Sequence, residues 1–186
     1  MARRLRVQQQ WRTGLATHQV QLAGYGVWGE QVPLSFLQTG FGIRGELDPE
    51  DPRPSSEAGL SLPGYLQTMH VYEFLTDRSL HLSYAFQTAP LIERQLGDVL
   101  IGPRLKLHQQ YAVGTLENVE RYQFFDFQTM EKGFWESGVE LPQLVRIKNG
   151  SSFYNIGFGY FHRWGAYAFP RAADNGVWVM NLITSF

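Results

Sequence analysis

The chain has 186 residues, 44% of them hydrophobic and 15% aromatic, with 16 basic against 17 acidic side chains and no cysteine. That length asks for no more than one domain, the balanced charge supplies no field that would draw nucleic acid, and the missing cysteines exclude a disulfide framework and thiolate metal sites. No stretch approaches the roughly 18 apolar residues of a spanning helix, and the aromatic and glycine content points to strands and close turns.

The opening MARRLRVQQQW has the basic residues of a signal peptide but glutamines where the apolar core belongs, so it does not read as an export signal. In RLRVQQQWRTGL, Leu5, Val7 and Trp11 alternate with Arg4, Arg6, Gln8, Gln10 and Arg12, the period of two expected of a strand with unlike faces. HQVQLAGYGVW is mixed. Residues 30–66, with a Pro, Asp and Glu cluster from Asp48 to Pro54, read as a long loop. In YEFLTDRSLHLSYAF, Phe74, Leu80, Leu82, Tyr84 and Phe86 alternate with Glu73, Asp77, Ser79, His81 and Ser83. TAPLIERQLGD is long enough for a helical turn, and VLIGPRLKLHQQYAVG reads as one strand with Val99, Ile101, Leu105, Leu107, Tyr111 and Val113 opposite Arg104, Lys106, His108 and Gln110.

After a second loop over 115–131, FWESGVEL sets Trp135, Val139 and Leu141 against Glu136, Gly138 and Glu140. Asn149-Gly150 signals a hairpin. SSFYNIGFGYFHRWGAY follows, with Tyr154, Ile156, Phe158, Tyr160 and Trp164 on one face and Asn155, Gly157, Gly159, Arg163 and Gly165 on the other. A third loop over 168–175 leads to NGVWVMNLITSF, where Trp178, Met180, Leu182, Thr184 and Phe186 share a side.

These segments exceed the usual globular strand of about five or six residues and suit the roughly nine to eleven of a strand crossing a bilayer obliquely, lipid-facing and lumen-facing side chains alternating. The expected fold is all-β, an antiparallel up-and-down transmembrane β-barrel in a single region over 1–186. Its seven or eight strands would be the C-terminal part of a larger barrel. Trp28, Trp135, Trp164, Tyr167 and Trp178 lie near segment ends, where a membrane girdle would hold them. Short turns at ATH and IKNGSS would share the periplasmic side with the C-terminus, and the long loops would lie outside. Glu73, Asp77, Arg104, Lys106, Glu136, Glu140 and Arg163 are the expected lumenal polar network. A soluble barrel of lipocalin type fits the same alternation, with the aromatic face turned in toward an apolar ligand.

Catalytic patterns are sparse. Asp77, Ser79 and His81 share a strand face, but same-face neighbours stand about 7 Å apart and cannot all be in hydrogen-bond contact. The five histidines have no metal-site spacing, and Glu136 and Glu140, four apart on a strand, are about 13 Å from each other. The expectation is a protein without enzymatic activity, cofactor or metal.

From about residue 20 onward the chain resembles a family of Bacteroidota outer-membrane barrels whose longer members begin with a carboxypeptidase-regulatory-like domain. That family carries a QTM…EFLSDR strand, here Gln67-Thr68-Met69 and Glu73-Phe74-Leu75-Thr76-Asp77-Arg78 with Thr76 in place of Ser. VPLSFLQTG, APLIERQLGDVLIGPRL, WESGVELPQLVRI and GYFHRWGAYAFPRAADNGVWVMNLITSF match in order; the regulatory domain and an upstream half of the barrel have no counterpart here. The resemblance implies an outer-membrane barrel in contact with outer-membrane lipid and with other outer-membrane or periplasmic proteins. Its last strands are also similar to those of barrels that insert or translocate outer-membrane proteins, which implies a part in assembly, export or transport. Trp178, Met180, Leu182 and Phe186 would then be the C-terminal signal read for assembly.

Overall fold

Alternation along the chain becomes strands wherever both faces find an environment. A computed structural model describes residues 2–29, 32–44, 59–62, 64–122, 124 and 126–185. Its strands are β1 (Ala2–Thr13), β2 (Ala16–Val27), β3 (Gly42–Arg44), β4 (Gly59–Leu60), β5 (Leu66–His70), β6 (Arg78–Gln87), β7 (Arg94–Leu96), β8 (Val99–Ile101), β9 (Lys106–Thr115), β10 (Phe134–Asn149), β11 (Ser152–Trp164) and β12 (Gly176–Ser185). The described residues contain no α-helix, only short 3-10 turns, so the fold is all-β.

Seven long strands form an antiparallel sheet in the order β1-β2-β6-β9-β10-β11-β12. β4 adds to β12 in parallel over Val179 and Met180 alone, and the β7–β8 hairpin leans on the far end of β10. β3 and β5 pair separately, as a small parallel sheet. Among the described residues the long sheet does not close on itself: β1 pairs only with β2, and β12 pairs only with β11 and β4.

The turn after Thr13 and the turn after Asn149, each with a glycine at φ 60° (Gly14, Gly150), fall at the same end of the sheet as Ser185. The connections 28–77, 116–133 and 165–175 leave from the other end. TAPLIERQLGD makes no helical turn; it enters the β7–β8 hairpin, whose bend is Gly97 at φ 61°. VLIGPRLKLHQQYAVG is likewise two strands rather than one, because Gly102-Pro103 interrupts it and the broken ends are tied by Thr88 N–H to Leu105 O at 2.9 Å and Leu91 N–H to Pro103 O at 2.8 Å. Phe74 does not share the outer face of β6: the strand begins at Arg78, and Phe74 is buried on the opposite side.

β10 runs on to Asn149 through Pro142 by means of an irregularity between Leu141 and Val145. Gly157 faces this point, where a Cβ would stand 2.3 Å from the Leu141 carbonyl oxygen, so no larger residue fits without moving backbone.

Strand parity sends Leu80, Leu82, Leu107, Tyr111, Trp135, Val139, Phe158, Trp164, Trp178, Met180 and Leu182 outward, all exposed. The inward positions are covered by the inserted segment that carries β3 and β5. The Phe41 ring packs at a tilt against His81 of β6 with centroids 4.6 Å apart, a Cβ at Gly64 would lie 3.6 Å from Gln21 of β2 and 4.0 Å from Arg6 of β1, and β5 contacts β11 and β12. One short segment within reach of the inner face of so many strands requires the sheet to curve around it. The apolar core sits between insert and sheet, as Leu66, Met69, Phe74, Ala112, Met130 and Phe134, with a second cluster of Val27, Leu37, Leu75, Leu116 and Tyr122 among the long connections.

Candidate functional site

β5 reads LQTMH, and all five of its residues are buried. Apolar Leu66 and Met69 enter the core, while Gln67, Thr68 and His70 must find polar partners or carry a desolvation penalty. Glu136 of β10, fully buried, meets that demand. Its Oε1 accepts from Gln67 N–H at 3.0 Å and Gln110 Nε2 at 3.0 Å, and its Oε2 accepts from Thr68 N–H and Thr68 Oγ1, both at 2.6 Å. One carboxylate thus grips two consecutive backbone amides of the insert. Glu136→Gln replaces an acceptor by a donor at these amides and is expected to destabilise the docked insert by about 1–3 kcal/mol, read as faster amide exchange at Gln67 and Thr68.

Arg163 of β11 makes the second link. Its Nη1 and Nη2 donate to Glu73 Oε1 at 2.6 Å and Oε2 at 2.8 Å, the side-by-side pairing that a planar guanidinium favours. Nη2 also donates to Thr68 O, Nη1 to Tyr167 O at 3.3 Å, and the guanidinium lies between the rings of Phe134 (4.8 Å) and Phe169 (4.6 Å). Glu73 accepts in addition from His70 N–H at 2.9 Å across a turn in which Tyr72 adopts φ 62°, a conformation uncommon without glycine. Arg44 of β3 approaches the same cluster; burial, then the positive charge of Arg163, lowers its pKa. Tyr167 donates to Thr129 O at 2.6 Å, and burial raises its pKa.

Glu140, two inward positions further along β10, holds a third junction. It accepts from Ser61 Oγ at 2.8 Å and Asn181 Nδ2 at 3.2 Å and pairs with His108 Nε2. The Ser61 contact fixes the insert beside β4 and, through Asn181, ties it to β12.

Of the seven residues expected in one network, Glu73 and Arg163 are joined directly, Glu136 shares Thr68 with Arg163, and Glu140 stands apart with its own partners. Lys106 is opposite Glu140 in the β9–β10 register. Asp77 lies at the long-connection end, accepting from Glu117 N–H at 3.0 Å and Thr115 Oγ1 at 3.4 Å. Arg104 stands in the irregular segment before β9 and does not join these contacts. Of the C-terminal set, Trp178, Met180 and Leu182 are exposed on the outer face, and Phe186 lies outside the described residues.

Asp77, Ser79 and His81 each bond elsewhere: Ser79 Oγ donates to Gln38 Oε1 at 2.7 Å, and His81 Nε2 meets Gln110 Oε1 at 3.1 Å. Among the described residues no group of three His, Asp or Glu is placed to hold a metal ion. Gln67, Thr68, His70, His108, Gln110 and Asn181 belong to the site although the sequence did not single them out. The resemblance placed Gln67-Thr68-Met69 in a strand just beyond the loop read over 30–66, but nothing in the sequence marked that strand as buried on both faces. No family model, no curated protein and no solved structure matches the chain.

Proposed function

We propose that the chain is a wall segment of an outer-membrane β-barrel that closes over its own inserted segment and serves, without enzymatic activity, as a component or scaffold of outer-membrane protein assembly, export or transport. One observation carries this reading. From Leu80 through β12 the outward positions of the long strands hold no Asp, Glu, Lys or Arg, and their large apolar side chains are exposed, as Leu80, Leu107, Trp135, Phe158 and Trp178, or half-buried, as Phe86, Ile156 and Tyr160. A surface of that kind on a water-soluble protein would be an aggregation site, whereas hydrocarbon solvates it.

The cross-strand row from Trp178 through Tyr160, Val139, Leu107, Phe86 and His18 to Trp11 supports the same reading. It begins and ends on tryptophan, and its six steps of about 4.8 Å span roughly 29 Å. Strands tilted about 40° carry such a row obliquely across most of an apolar band about 25 Å tall, with aromatic residues near its two ends. A soluble ligand-binding barrel would turn this face inward, against its cavity. The resemblance to Bacteroidota outer-membrane barrels, and the Trp178, Met180, Leu182 pattern of the last strand, point to that membrane and to assembly or transport there.

Fractionation of the native protein tests the reading. The expected result is recovery in the outer-membrane fraction as a species whose gel mobility changes on boiling. A soluble monomer of 21.3 kDa overturns it.

A further inference from the structure

A pocket of about 420 Å³ opens at the end of the sheet where the long connections leave, a size that suits a small organic ligand. Two of those connections build it. The one between β2 and β6 supplies Trp28, Val32 and Asp77, and the one after β9 supplies Glu117, Asn118 and Tyr122. Tyr122 is buried and donates its hydroxyl to Val32 O at 2.7 Å, a bond that joins the two connections. Asn118, at φ 56° and accepting from Arg121 N–H at 3.0 Å, turns the chain so that Glu117 and Tyr122 line the same space.

The polar part of the lining is acidic, and its most buried group has bonding capacity to spare. Asp77 is 4% exposed, and its Oδ2 accepts Glu117 N–H at 3.0 Å. Its Oδ1 has more distant partners, the Thr115 hydroxyl at 3.4 Å and Arg78 Nε at 3.7 Å. An ionised carboxylate offers about four lone-pair positions, so a second donor can be received here without displacing the first. Arg78 also pairs with Glu117 through Nη2, so among the described residues the two carboxylates outnumber the guanidinium between them. Glu30, Gln31, Gln123 and Phe125, which adjoin these residues in sequence outside the described set, include no basic side chain. A bare metal ion would leave most of the space unfilled and would find no group of three His, Asp or Glu among the described residues. We infer that the pocket binds a small organic ammonium ion, its charged head on Asp77 with Glu117 beside it and its apolar body against Val32 and the Tyr122 ring. The connections alone build this site, so it is separate from the network that holds β5 and does not rest on the membrane reading.

Titration calorimetry tests it on the whole chain, purified from whichever fraction carries it, with phenethylammonium as the probe and 2-phenylethanol as its uncharged counterpart. The expected result is saturable binding of one phenethylammonium per chain, about tenfold or more tighter than the alcohol, since a hydrogen bond to a charged group contributes about 1.5–3 kcal/mol. Asp77→Asn keeps an oxygen for Glu117 N–H but removes the charge, and it should bring the two probes to about the same affinity. Glu117→Gln, whose side chain is 66% exposed, should weaken phenethylammonium by less and leave the alcohol unchanged. Absence of saturable binding, or equal affinity of the parent protein for both probes, overturns the proposal. So does parental affinity in a folded Asp77→Asn. Where Asp77→Asn fails to fold, Glu117→Gln decides, and parental discrimination between the probes in that variant overturns the acidic site.

Discussion

Arg163→Ala should release the inserted segment from the sheet while the strands stay in the membrane. The guanidinium and the Glu73 carboxylate are almost wholly buried, with side-chain exposures of 1% and 2%, and they are linked by two parallel hydrogen bonds. Removing one partner of such a pair strands the other as an unpaired buried charge, which costs about 3–5 kcal/mol. Here the stranded group is Glu73, in the turn that closes β5, so the loss falls on the insert rather than on the ladder between β11 and β12. Limited proteolysis of the membrane-embedded variant is the measurement, with new cleavage expected within 64–77. Glu73→Ala should behave alike, and Arg163→Met combined with Glu73→Leu should recover most of the protection, since a well-packed apolar replacement removes both charges together. Parental resistance in Arg163→Ala would show that the pair does not hold the insert.

Leu107→Arg should abolish most membrane assembly. Leu107 is 43% exposed and stands midway along the row that runs from Trp178 to Trp11. On a lipid-facing strand an arginine near the midplane costs about 2–4 kcal/mol; on a wet protein surface the same change stays within about 0.5 kcal/mol. The fraction of heat-modifiable protein reads the difference directly. Lys106→Leu, one residue away on the opposite face, is the control: it should leave partition into the membrane intact, because it removes a charge from the inner side, opposite Glu140. Equal assembly of Leu107→Arg and the parent protein would remove the membrane reading.

The faces of the long strands were legible because a period of two leaves little freedom once one face is apolar. Trp178, Met180 and Leu182 on β12, or Tyr154, Phe158 and Trp164 on β11, could go only to the same side. Strand ends were less legible. Pro142 reads as a stop, yet β10 passes it by shifting register, and Gly102-Pro103 stops a run that alternation alone would have continued. The site was half legible: Glu73, Glu136, Glu140 and Arg163 stood out as charges on small or polar faces, but what they hold did not. β5 sits between two layers and so shows no alternation, and its grip on Glu136 is through backbone amides, which every residue has. Closure of the wall belongs to no local pattern, and the described strands leave it open.

The grip of Glu136 and Arg163 on the insert also sets an order of events. Gln67 and Glu136 are 69 residues apart in the chain, and Glu73 and Arg163 are 90. Contacts of such separation form late, because the loop between them must first be closed by other structure. Residues 64–77 leave the ribosome before either partner exists, and their resting place is made by β10 and β11 together. The segment at the centre of the molecule is thus synthesised before the strands that hold it, and until they form its buried side chains, Leu66, Met69 and Phe74, are open to any chaperone that accompanies the chain.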